Sequence, residues 1–239
     1  MFLLNVRKKS GYLTLTGISA LLSIAVAAVL LLPMTSAAKN PNLEFEDPAL
    51  IVVYSVTDDD AQIIARGGSE ERIKKVTIFG PHGTVRLKAR FKDGDGLGQA
   101  DFQFETPEPS IEDLMEAYPE GDYSFKGKSV DGGILESTVE LSYELLPAPV
   151  MTYPKEGETG VPINELVVKF SSDDAEAIRL EIEDEEEGVA LKVDLPGNAT
   201  SFVVPNGWLQ SGTVYVLDIK AIAEWGNQTV VDVEFTTAE

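Results

Sequence analysis

Leu209-Gln-Ser-Gly212-Thr-Val-Tyr215-Val-Leu-Asp-Ile-Lys-Ala221 is the stretch that decides how this chain folds. A glycine turn at Gly212 delivers Tyr215 into a run that alternates apolar and polar side chains. Strict alternation marks a strand with one face buried. A tyrosine at the start of such a strand closes the corner of a two-sheet sandwich, its ring in the core and its hydroxyl on a backbone group upstream. Working outward, residues 166–170, 178–182, 189–193 and 201–204 read as strands, and 229–235 follows a turn that contains Gly226-Asn227. With an entry strand near 149–153 this makes about seven strands in roughly 90 residues, the size of an immunoglobulin-like sandwich.

Three groups of residues then stand in a familiar order: Pro154…Gly157…Gly160-Val-Pro162, the Leu209 to Ala221 stretch, and Gly226-Asn227…Phe235-Thr-Thr237. Together they resemble a fibronectin type III domain over nearly all of residues 148–238. The family's early-strand tryptophan position is filled here by Phe170, which packs but lacks the indole donor. Such domains elsewhere bind receptors, space catalytic domains or connect, so the resemblance implies a fold and no activity.

The first half carries the same logic less plainly. Residues 50–54 and 62–65 read as strands around Asp58-Asp59-Asp60, and 76–79 and 84–91 as a hairpin around Gly80-Pro-His-Gly83. Pro109-Ser110-Ile-Glu-Asp113 opens the one helix expected, capped by Ser110 and ended by Pro119. Gly121-Asp-Tyr123 repeats the glycine-then-tyrosine entry, and Asp131-Gly132-Gly133 turns that strand into 134–145. The expected fold class is therefore all-β: two tandem immunoglobulin-like sandwiches, the first a divergent copy of the second, with one short helix. Their boundaries are 39–147 and 148–239, joined at Leu146-Pro147-Ala148-Pro149. The structural residues singled out are Gly212, Tyr215 and Phe170 in the second module and Tyr123 in the first.

Residues 1–38 have another character. Arg7, Lys8 and Lys9 precede an apolar run from 17 to 34 and then Ser36-Ala37-Ala38, the pattern of an export signal cut after Ala38. The alternative is an uncleaved anchor in the inner membrane. The expected location is periplasmic or secreted. The chain has no cysteine, which excludes disulfides and a lipidated cysteine. Without the signal, 16 Lys and Arg face 40 Asp and Glu, so nucleic acid and anionic headgroups are disfavoured partners.

Little in the chain points to chemistry. The single histidine, His82, sits in a tight Pro-His-Gly loop, and no nucleophile elbow is present. One histidine and no cysteine cannot complete a usual zinc site. Forty acids provide no distinct pair for glycoside hydrolysis, the least favoured reading. Asp93, Asp95 and Asp101 resemble part of a calcium loop, but Leu97 and Phe104 stand where oxygen ligands are needed. A glycine-rich turn with exposed acids is the simpler account of them. Asn198-Ala-Thr200 and Asn227-Gln-Thr229 fit the glycosylation pattern, yet asparagine suits both turns anyway. Trp208 and Trp225 lie in neighbouring connections, where an exposed pair would stack on a sugar and a buried pair would lid the sandwich. The expectation is an exported, non-catalytic binding or structural module with no cofactor and an unidentified protein partner. A calcium-dependent adhesion or carbohydrate-binding protein is the alternative.

Overall fold

A computed structural model describes residues 42–91, 98–184 and 186–239. The export segment, the Asp93 and Asp95 candidates and Glu185 lie outside the described residues. The architecture is all-β, with one short helix. Along the first half run β1 (Asn42–Leu43), β2 (Glu46–Ser55), β3 (Asp60–Phe79), a 3-10 turn at Pro81–Gly83, β4 (Val85–Arg90), β5 (Gln99–Glu105), α1 (Ile111–Ala117), β6 (Gly121–Ser129) and β7 (Ile134–Leu141). The second half supplies β8 (Val150–Tyr153), β9 (Glu158–Val161), β10 (Val167–Ser171), β11 (Ala177–Asp184), β12 (Val189–Pro196), β13 (Ser201–Val203), β14 (Val214–Ile222) and β15 (Gln228–Thr237).

Two expectations for strands need correcting. The separate strands read at 62–65 and 76–79 are one, β3, twenty residues long. Its first part pairs with β2 and β5, and its second part pairs with β4 and β6. Between them the register shifts, and Arg72 takes a φ of 52°. Such an irregularity bends a strand and lets it serve both layers of a sandwich. The second correction is β9, which Gly160 kept from reading as a strand; it runs parallel to the far end of β15. The helix forms where its signals lie: Ser110 Oγ accepts from the Asp113 N–H at 3.3 Å, and Glu112 and Asp113 occupy the positive first turn.

Two separate sets of side chains are buried. In the first half Phe45, Phe102 and Phe125 meet edge-on or tilted, with centroids 5.9–6.3 Å apart, and Ile73, Val76 and Leu135 are fully enclosed. In the second half Phe170, Ile178, Leu180, Leu217 and Phe235 form the centre. Each set follows the period-two pattern of its strands, as in β14, where every second side chain from Tyr215 to Ala221 is buried.

The sheets do not stop at the boundary between the halves. The strand order β1-β7-β6-β3-β2-β15-β14-β11-β12 is continuous, because β2 pairs in parallel with the start of β15: Val53 with Gln228, Tyr54 with Thr229 and Ser55 with Val230. The remaining sheet, β13-β10-β8, forms the second layer of the second half.

Candidate functional site

The Tyr215 ring is buried between Trp208 and Phe235, at centroid distances of 5.5 and 5.7 Å. Its hydroxyl accepts the Gln210 N–H at 2.9 Å. Gly212, at a φ of 64°, makes the turn between them, a conformation that costs glycine nothing. Tyr123 is equally buried, and its hydroxyl donates to the Pro119 carbonyl at 2.9 Å. Burial pushes the Tyr123 phenol above its ordinary range, with Arg86 opposing and Tyr118 adding to the effect. Phe170 is 3% exposed and belongs to the second core.

Polar side chains converge instead where the halves meet. The turn between β14 and β15 is closed by the Ala223 N–H on the Asn227 carbonyl, with Gly226 at a φ of 98°. Trp225 and Asn227 within this turn and Thr229 just beyond it, at alternate positions, reach the segment 142–146. The Asn227 Nδ2 donates to the carbonyls of Ser142 at 2.9 Å and Glu144 at 3.0 Å. The Trp225 Nε1 donates to the Glu144 carbonyl, and the Thr229 Oγ1 to that of Leu146, each at 2.9 Å. In the other direction the Asn227 Oδ1 accepts the Val52 N–H at 2.9 Å. Asn227 and Thr229 are 3% and 2% exposed. The Asn227 carboxamide is a structural cross-link between the halves, enclosed and fully bonded, rather than an open modification site.

The tryptophans do not form a pair. Trp208 precedes β14 and Trp225 follows it, so a nine-residue strand, about 30 Å of chain, separates them. Trp208 packs on Tyr215, whereas Trp225 is half exposed with its indole nitrogen bonded. A sugar-stacking platform built from both rings is therefore excluded by their placement.

On the outer face of the joint Asp218 on β14 stands directly opposite Asp232 on β15 and Glu181 on β11. Glu181, 8% exposed, is paired with Lys192 and, at 3.7 Å, with Lys220. Lys220 also pairs with Asp218 at 3.4 Å. Burial raises the Asp218 carboxyl above its usual range; Lys220 works against this, and Glu181 and Asp232 add to it. Asp60 is raised as well, first by burial and then by Asp58, Asp232 and Asp59. Asp58, Asp60, Asp218 and Asp232 border a groove of about 360 Å³ across the β2–β15 seam.

Of the calcium candidates, Asp101 lies exposed on β5, its carboxylate over the bare backbone of Gly68. Among the described residues no group of three or more acids and histidines is arranged to hold a metal. His82 is exposed in its loop, at a φ of 63°. At the β11–β12 tip the buried Asp184 accepts the N–H groups of Glu186 and Glu187, both at 3.1 Å, which turns the chain and leaves those acids in solvent. Asn227, Thr229 and Trp225 tie the two halves together without a recognisable motif. Their only trace in the sequence is three hydrogen-bonding side chains at alternate positions.

No family model matches the chain, and no curated protein matches it. Among solved structures it is similar to the fibronectin(III)-like modules of Clostridium thermocellum CbhA, at 13% identity and a TM-score of 0.32, over 81% of this chain and 93% of that one. It is also similar to the FN1–FN3 domains of chicken CNTN1, at 15% identity and 0.32, over 84% and 69%. A two-domain fibronectin type III segment of chicken tenascin aligns at 13% identity and 0.31, over 83% and 99%. These three solved structures are fibronectin type III modules.

Proposed function

We propose that the chain is an exported, non-catalytic structural and binding module, a stiff two-sandwich unit that spaces or presents protein partners at the cell envelope. The observation that carries this reading is the joint. A shared sheet and the Asn227 cross-link tie the halves together, where a plain spacer would leave a free linker. Inter-domain motion is the default for tandem modules, and suppressing it takes an interface of this kind. The pattern of residues 1–38 supports export.

Stiffness is measurable without ambiguity because the chain has no native cysteine. Spin labels on Lys128→Cys and Asn198→Cys, both exposed positions in opposite halves, should give one narrow distance distribution. Asn227→Ala should broaden it and destabilise the chain by about 1–3 kcal/mol, since the Val52 N–H loses its buried acceptor. A broad distribution in the unmodified protein would end the rigid-spacer reading.

A further inference from the structure

The first sandwich has a mouth. β4 and β5 both pair with β3, but with different parts of it, so they lie in different layers and leave the core open between their edges. The opening is a cavity of about 150 Å³ walled by Leu50, Ile63, Leu87, Phe104 and Tyr118. One cation is built into that wall. Between Ile78 and Phe79 the β3–β4 register slips, Ile78 facing Leu87 and Phe79 facing Val85, so Arg86 is the extra residue of a bulge. Bulges re-aim a side chain out of the strand's alternation, and here Arg86 and Leu87 are both half-buried although they are neighbours.

Among the described residues Arg86 has no ion pair. Its Nε is buried without a hydrogen-bond partner. Its guanidinium carbon lies 5.6 Å from the centroid of the Tyr118 ring, a cation–π contact that satisfies none of its N–H donors. Gly80 makes room for it: a Cβ there would come within 3.0 Å of the Arg86 Nε and 3.1 Å of the Tyr123 ring. In a chain with 40 acids, a half-buried arginine without an ion pair marks a place where the missing anion comes from outside. Other polar groups at the mouth are committed. The Thr106 Oγ1 accepts the Ile63 N–H, the Tyr123 hydroxyl donates to Pro119, and the exposed Glu105 accepts from Gln103.

We propose that this mouth binds a small monocarboxylate with a compact apolar body, the apolar part filling the cavity and the carboxylate taken by Arg86. An apolar cavity of about 150 Å³ accommodates one benzene ring. Guanidinium and carboxylate match as a fork of two parallel hydrogen bonds. Glu105 at the rim disfavours a second negative charge, which selects monoanions. A free aryl carboxylate and the C-terminus of a peptide ending in phenylalanine share this chemistry.

Titrating the purified full chain with phenylacetate, phenylacetamide and a short peptide ending in phenylalanine tests the assignment, with amide NMR shifts of Leu87 and Tyr118 as the readout. Phenylacetate should bind saturably and at least tenfold more tightly than the neutral phenylacetamide. Arg86→Gln should abolish that difference, and Leu87→Trp, which fills the cavity, should abolish binding of both. Tighter binding of the peptide than of phenylacetate assigns the pocket to chain termini, and the reverse assigns it to free acids. No saturation at tens of millimolar, or equal binding of the acid and the amide to the unmodified protein, overturns the proposal whatever the variants do.

Discussion

The two halves end in hairpins that share a plan and differ in chemistry. In each, a tyrosine follows a glycine into the first strand: Tyr215 opposite Phe235, and Tyr123 opposite Val139. In the second half the hydroxyl accepts an N–H, from Gln210; in the first it donates to a carbonyl, that of Pro119. Pro119 offers only a carbonyl, and the N–H of Tyr118, the position equivalent to Gln210, is taken by the Leu114 carbonyl, so the Tyr123 hydroxyl donates. Three residues on, the contrast continues. Lys126 faces Glu136 at 3.6 Å, an exposed pair of opposite charge, whereas Asp218 faces Asp232, and burial raises the Asp218 carboxyl. One backbone plan therefore tolerates either direction of hydrogen bond and either sign of charge, provided that the ring is buried and the strand alternates.

The largest test removes the rings. Tyr215→Ala and Tyr123→Ala should each cost about 3–5 kcal/mol, the usual loss for an enclosed aromatic. If the shared sheet couples the halves, urea unfolding followed by Trp208 fluorescence should shift for both variants. A shift for Tyr215→Ala alone would show that the halves unfold independently. A smaller effect separates the two corners. Tyr215→Phe strands an N–H and should cost about 1–3 kcal/mol, more than Tyr123→Phe, which leaves a carbonyl, the backbone group that more often goes under-satisfied. Equal urea midpoints for the two would remove the distinction.

The smallest effect concerns charge. Because the folded Asp218 carboxyl has a raised affinity for its proton, the native state holds that proton more tightly than the unfolded chain does. Stability therefore falls as pH rises through the raised value, and the deficit persists at neutral pH. Asp218→Asn should raise the melting temperature at pH 7 and lose that advantage as the pH drops to the ordinary carboxylate range. Lys126→Gln, at the matching place in the first half, should change it little, since an exposed pair contributes almost nothing. A melting-temperature series from pH 3 to pH 8 reads both.

Much of this fold was legible before any coordinates. Tyr215, Gly212 and Phe170 could be placed because alternation and turn chemistry are local, and α1 could be placed because Ser110, its acids and Pro119 lie within one short stretch. β3 resisted, since Glu70-Glu71-Arg72 breaks its alternation and looks like a loop, whereas in the fold it is the bend between two layers. Arg86 resisted for a related reason: a bulge shifts the phase of a strand, and nothing in the order of residues around it says where the partner strand will slip.

By itself the sequence determined the class of the fold, the strands of the second sandwich other than β9, the two tyrosine entries and the helix, all from residues within a few positions of one another. Only the tertiary structure decided the joint. The Val52 N–H meets Asn227 across 175 positions, and the carbonyls of Ser142, Glu144 and Leu146 are chosen by geometry alone. Every residue carries a carbonyl, so the identity of an accepting residue holds no signal of its role. Which carbonyls become partners depends on where two extended segments come to lie side by side.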